Sequence, residues 1–186
     1  MEDLEQLNIE LKNYLDKTEE QLIKDIVQLL KVENTDDLEK KAKEDTKALY
    51  FEYEYDYLDI VTWAVDKDGE IIGNATRLLS HREKEIGESE KWNSLLPEKI
   101  WDKAFDLQER YEDEEDWDDI WDEYKEEKYR LFEDWFLQCW KKALTHMESR
   151  NKLDAYFSIH DTYFRTDLNT FQTVNDDEIA ERYTSK

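Results

Sequence analysis

The sequence predicts an α+β fold in which an antiparallel sheet of three to five strands packs against several long amphipathic helices. Three observations predict it. Apolar residues recur at helical spacing over residues 4–30 and again over residues 100–139, and they alternate at a period of two around residues 49–55 and 153–159. Only three Gly and one Pro occur in 186 residues, too few for a chain built mainly from tight turns. A chain of this length fits one domain, 1–186, with a sizeable core. It divides into N-terminal helices (1–46), a β-meander (47–76), an acidic, Trp-rich helical segment (97–150) and a C-terminal strand and tail (153–186). No internal repeat is visible.

Leu4, Leu7, Leu11, Tyr14 and Leu15 open the first helix, and Leu22, Ile23, Ile26, Val27, Leu29 and Leu30 continue its spacing. A capping-box pattern from Thr18 to Gln21 lies between them, so the first thirty residues read as one bent helix or two. Asn34-Thr35-Asp36-Asp37 offers an N-cap for a short charged helix running to about Thr46. The period then changes. Leu49, Phe51, Tyr53 and Tyr55 alternate with Tyr50, Glu52, Glu54 and Asp56, and Leu58 to Val65 is rich in β-branched and aromatic residues. Asp66-Lys67-Asp68-Gly69 is a turn signal, so a third antiparallel strand is expected from Glu70 to about Ala75.

Residues 81–93 lack periodicity and read as a connection. Pro97 suits the first position of a helix whose apolar face is Ile100, Trp101, Ala104, Phe105, Leu107 and Tyr111. A second helix is expected to start near Asp116. At 100° per residue, Trp117, Ile120, Trp121, Tyr124, Leu131, Phe132, Trp135 and Cys139 fall in a sector about 120° wide. Trp140 and Leu144 lie outside that sector, which predicts burial on more sides before the helix ends near Arg150. Leu153, Ala155, Phe157 and Ile159 then alternate as a fourth strand able to join the meander. Thr166 to Val174 adds a short strand, and Asp176 to Tyr183 a terminal helix.

Fifty Asp and Glu against 26 Lys and Arg give a net charge of −24, with a pI near 4.4. That sign disfavours direct binding to nucleic acid phosphates or to an anionic membrane. A mean hydropathy of −1.01 would suit a disordered chain, but 13% aromatic residues supply the apolar bodies that such chains lack. Cys139 is alone and cannot form an internal disulfide. Met1-Glu2-Asp3-Leu4 offers no apolar signal core and no window reaches a membrane span, so the expected location is cytoplasmic.

The charge is not spread evenly. Residues 98–127 hold fifteen acids and four bases, whereas residues 128–150 hold three acids and five bases. On the helical wheel, Glu112, Asp116, Asp119, Glu123 and Glu126 cluster opposite Trp117 and Trp121. If helical throughout, the ten carboxylates from Glu109 to Glu123 carry roughly one charge per 2.2 Å, comparable with about one per 1.7 Å along duplex DNA. Like charges at helical spacing oppose stability. Glu109, Glu112, Asp113, Asp116, Asp119, Asp122, Glu123 and Glu126 are therefore the expected partner-binding residues, and a basic protein is the expected partner. The plainer reading of the same residues is a solvated face that keeps an aromatic-rich chain in solution.

Other chemistry finds little material. The chain has no GxGxxG, Walker loop or CxxC. His81, His146 and His160 are not at metal-ligand spacing, and Asp66-Lys67-Asp68-Gly69 is only a fragment of an EF-hand loop, with Arg77 where the twelfth-position Glu belongs. His160-Asp161 beside Ser158 reads as a solvent-facing histidine next to a turn rather than a catalytic pair. Cys139, in the apolar sector with Trp135, reads as a buried inert thiol. No catalytic residue, metal ligand or cofactor is expected.

The run Ala48-Leu49-Tyr50-Phe51-Glu52-Tyr53-Glu54-Tyr55, the late strand Tyr156-Phe157-Ser158-Ile159-His160-Asp161 and the charged N-terminal helices resemble the small acidic immunity proteins encoded beside polymorphic or contact-dependent bacterial toxins. The likeness spans most of the chain in organisation and rests on no diagnostic motif, so it transfers no functional residue. It implies a non-catalytic inhibitor whose acidic surface caps the basic cleft of a toxin, often a nuclease. The physics of the charge agrees, because a dense anionic face speeds association with a cationic partner. Three alternatives fit the same sequence: a DNA mimic that occupies a DNA-binding protein, a small hydrolase or metal-dependent enzyme, and a scaffold subunit.

Overall fold

A computed structural model describes residues 2–31, 46–79, 98–147 and 153–184. In chain order they form α1 (Glu2–Lys31), β1 (Ala48–Tyr53), β2 (Ile60–Val65), β3 (Ile71–Arg77), α2 (Glu98–Tyr111), α3 (Trp117–Thr145), β4 (Asp154–Ile159), β5 (Phe164–Asp167), β6 (Gln172–Asn175) and α4 (Asp176–Thr184). The class is α+β, as expected. The sheet, however, has six strands in the order β3-β2-β1-β4-β5-β6, and β1 pairs with β4 in parallel. Both features correct the expected antiparallel sheet of three to five strands. Residues 34–45 of the expected short helix, the connection over 81–93, Pro97 and Arg150 lie outside the described residues, and Thr46, the expected end of that helix, is not helical.

The parallel pair follows from the helix that precedes it. Along α3, Tyr129 and Phe132 meet Tyr53 near the end of β1, and Phe136 and Trp140 meet Phe51 further back. α3 thus runs against β1 and delivers the chain to the end where β1 begins. A strand launched from there can only run parallel to β1. The alternation of residues 153–159 specifies a strand but carries no information about this direction.

α1 is a single helix of thirty residues. Its buried stripe, Leu4, Leu7, Leu11, Leu15, Thr18, Leu22, Ile26 and Leu30, steps by three and four without a break. Thr18 caps nothing: its hydroxyl donates to the Leu15 carbonyl at 3.0 Å inside the helix, which lets a polar side chain occupy the stripe. In the meander, the Asp66 carboxylate accepts from the amides of Asp68 and Glu70 at 2.8 and 3.0 Å. Gly69 completes that turn at φ +81°, where an added Cβ would meet nothing within 4 Å, so the left-handed backbone and not space calls for glycine. The single strand expected over 166–174 is instead the β5–β6 hairpin. The Asp167 carboxylate ties its turn by accepting from the amides of Asn169 and Thr170 at 2.9 and 3.2 Å.

The sheet separates two packed layers. On one face Leu49, Phe51, Tyr53, Ala155 and Phe157 meet α1 and the C-terminal half of α3, with the Phe136 and Phe157 rings stacked at 4.0 Å. On the other, α4 covers Ala48, Val65, Tyr156 and Val174 through Ile179. A smaller satellite core gathers Leu4 and Leu7 of α1, Ile100, Ala104 and Leu107 of α2, and Trp117 and Tyr124 of α3. It carries the acidic segment.

Candidate functional site

α2 and α3 meet at a corner built from the most acidic stretch of the chain. Five consecutive carboxylates, Glu112 to Asp116, form the connection, with turns closed by Glu114 N–H to Tyr111 C=O at 2.9 Å and Trp117 N–H to Glu114 C=O at 3.0 Å. Continuing a helix through them would stack like charges at every three- and four-residue spacing. The aromatic side chains have the opposite preference. Tyr111, Trp117, Trp121 and Tyr124 form a ladder with ring centroids 5.4, 5.7 and 5.1 Å apart. The corner therefore has an aromatic inside and a carboxylate outside.

All eight expected partner-binding residues are exposed, but they do not form one continuous ridge. Glu109 lies on α2, Glu112, Asp113 and Asp116 on the turn, and Asp119, Asp122, Glu123 and Glu126 on α3. The wheel that placed Glu112 on the same helix as Glu126 is corrected by the break after Tyr111, and the duplex-like charge density computed for an unbroken helix does not apply. On α3 alone, the six carboxylates from Asp118 to Glu127 still give about one per 2.5 Å. Asp122 pairs with Lys125 at 2.7 Å. No ion pair among the described residues involves the other seven.

The candidate catalytic groups are otherwise engaged. His160 Nδ1 lies 3.0 Å from Glu52 Oε2 and its Nε2 lies 3.4 Å from Asp161, so neither nitrogen serves Ser158. The hydrogen bond to Glu52 raises the pKa of His160 above its ordinary value. The Ser158 hydroxyl accepts from Arg165 Nη1 at 3.0 Å, and the same guanidinium binds Glu52 at 2.6 Å and, through Nε, Asp176 at 2.7 Å. This is a charge network that fastens α4 to the back of the sheet. Burial pushes the Cys139 thiol up to about 12, which leaves it un-ionised and unreactive. Among the described residues, no three His, Cys, Asp or Glu side chains are gathered to hold a metal ion. No helix among them is long and apolar enough to cross a membrane.

Two features escaped the sequence reading. Lys128 is buried, and its ammonium donates to the carbonyls of Tyr55 and Asp56 at 2.9 Å each. Burial pulls its pKa down to about 8. The signal was present, since Lys128 sits four residues after Tyr124 and four before Phe132, inside the apolar sector. The second is a cavity of about 450 Å³ between the N-terminal halves of α1 and α3, bordered by Glu123 of the acidic set. No spacing rule reveals it, because its two walls lie more than a hundred residues apart.

No protein-family model, no curated protein and no solved structure matches this chain.

Proposed function

We propose that this protein is a stoichiometric inhibitor that captures a basic protein through the acidic corner of α2 and α3. By its resemblance to immunity proteins, the partner is a bacterial toxin domain, such as a nuclease, neutralised in the cytoplasm. The inhibitor performs no catalysis of its own and needs no cofactor. The observation that carries the reading is the cluster of exposed carboxylates from Glu109 to Glu126, of which Asp122 alone enters an ion pair among the described residues, over an aromatic ladder. Long-range attraction by such a face sets the association rate and its salt dependence, while packing against the helices sets dissociation.

The test is affinity capture from the native host, eluted with a salt gradient. Recovery of one basic toxin supports inhibition, whereas recovery of many DNA-binding proteins favours the DNA-mimic alternative. Replacing Asp113, Asp116 and Asp119 together by Lys is expected to slow association at least tenfold, roughly 1.4 kcal/mol, and to flatten its salt dependence. Unchanged capture by that variant removes the corner as the binding surface.

A further inference from the structure

The cavity between α1 and α3 is lined by Leu4, Asn8, Ile120, Tyr124 and Leu131, with Glu5 and Glu123 bordering it. Its volume of about 450 Å³ lies within the ~300–1,000 Å³ of small-ligand clefts. Asn8 is 8% exposed; its Nδ2 donates to the Tyr124 carbonyl at 3.4 Å, while its Oδ1 has no hydrogen-bond partner. That oxygen has essentially no accessible surface, so Asn8 shapes the wall of the cleft and offers its occupant no acceptor.

The charge around the cleft has a definite sign. Of its two cations, Arg130 is clamped by Glu127 at 2.6 and 2.8 Å and reaches Asp134 at 3.3 Å. Lys12 enters no ion pair among the described residues but lies within electrostatic reach of the same Glu127. Glu5 and Glu123 enter no ion pair among the described residues. A ligand here meets apolar walls, one aromatic ring and a lining in which three carboxylates, Glu5, Glu123 and Glu127, outnumber the two cations.

We propose that the cleft receives an arginine side chain presented by the basic partner, an inference that rests on the proposed function for the source of that arginine. The aliphatic stem packs on Leu4, Ile120 and Leu131. The planar guanidinium faces the Tyr124 ring, and its fork of donors serves Glu5 and Glu123. A lysine offers a point charge without the plane or the fork. An apolar side chain leaves both carboxylates unanswered.

The test uses the full-length protein and a blocked arginine, Nα-acetyl-arginine methylamide, followed by two-dimensional amide NMR, with blocked lysine and blocked norleucine as controls. Saturable shifts are expected at the Asn8 side-chain amide and at the backbone amides of Ile9, Ile120 and Tyr124, with each control at least about tenfold weaker, a difference of roughly 1.4 kcal/mol. Ile9, 54% exposed at the rim, permits a variant that leaves the core intact: Ile9→Lys should abolish the shifts without changing the fold. Glu5→Gln combined with Glu123→Gln should weaken binding several-fold. Shifts that spread over residues 112–119 without saturating, equal shifts with blocked lysine, or no shifts would each overturn the proposal. The two readings fail separately. If blocked arginine fills the cleft but Lys at Asp113, Asp116 and Asp119 leaves partner capture intact, the proposed function falls and the cleft stands; if capture needs those three residues and blocked arginine does not bind, the cleft falls alone.

Discussion

Burial and charge change together along α3. From Phe132 to Ala143, five side chains, Phe132, Phe136, Cys139, Trp140 and Ala143, lie fully or almost fully inside the main core between α1 and the sheet. From Trp117 to Glu127, only Trp117 and Tyr124 are buried, in the satellite core, and six carboxylates cover the outside. Buried polar groups do not follow the same division. The Trp140 indole N–H donates to the Leu168 carbonyl at 2.9 Å, but Trp135 of the same half, like Trp117 of the other, buries its indole N–H without a partner. One continuous helix thus has a half buried in the main core and a half that tolerates repulsion between its carboxylates. Such tolerance is what the proposed recognition surface would require.

The strongest way to break this comparison is to remove one tryptophan from each half. Trp140 is 1% exposed and Trp117 is 6% exposed, so their transfer energies are similar and the difference lies in their surroundings. Trp140→Ala should cost about 3–5 kcal/mol, because it opens a cavity beside Phe51 and orphans the Leu168 carbonyl. Trp117→Ala should cost about half as much, since the satellite core borders solvent and can close over the gap. Urea denaturation with fluorescence and circular dichroism measures both. Equal losses would mean that the two cores are one cooperative unit.

The two halves were also unequally legible in the sequence. The period of α3, its start near Asp116 and the shift of burial toward Trp140 follow from the spacing of apolar residues, as does β1, while β2 follows from its β-branched and aromatic content and β3 from the Asp66–Gly69 turn signal. What spacing cannot supply is anything set by partners distant in the chain. The parallel pairing of β1 with β4 depends on the direction in which α3 crosses the sheet. The division of residues 164–175 into two strands depends on Asp167 binding two turn amides. At the acidic corner, composition identified the residues, but a wheel drawn through Glu112 missed the break, because helical periodicity says nothing about where repulsion ends a helix. The cleft beside Asn8 exists only through tertiary packing.

Lys128 stands where the two halves of α3 meet, and its titration sharpens the boundary. Burial brings its folded pKa from 10.5 to about 8, so between those values the unfolded chain holds a proton that the folded chain has released. Stability therefore rises with pH across that interval, by about 1 kcal/mol from pH 8 to 9. Cys139 acts in the opposite direction above about pH 9, its thiol being held up near 12 in the folded state. The difference between wild type and Lys128→Met isolates the lysine, because the thiol contributes equally to both. The substitution should abolish the rise, and urea unfolding at pH 7, 8 and 9 reads it. A rise that survives in the variant would assign the titration to another group. The neutral amine keeps two N–H donors, enough for the carbonyls of Tyr55 and Asp56, so the β1–β2 turn should not loosen over the same interval.

The smallest effect tests the other side of the comparison. If the corner carboxylates oppose folding, Asp113→Asn, Glu114→Gln and Glu115→Gln should each stabilise the protein by a few tenths of a kcal/mol at low ionic strength. Screening should mimic them, because at about 1 M salt the Debye length shrinks to about 3 Å and the repulsion between neighbouring side chains fades. The triple variant should therefore gain less from added salt than the wild type does, as measured by thermal unfolding at two ionic strengths. Asp118 and Asp119, in the first turn of α3, should behave differently, because carboxylates there favour the positive end of the helix dipole and offset their own repulsion. Destabilisation by the turn variants, or an unchanged response to salt, would show that the acids of the turn help to hold the corner, and would place the cost of recognition elsewhere on the molecule.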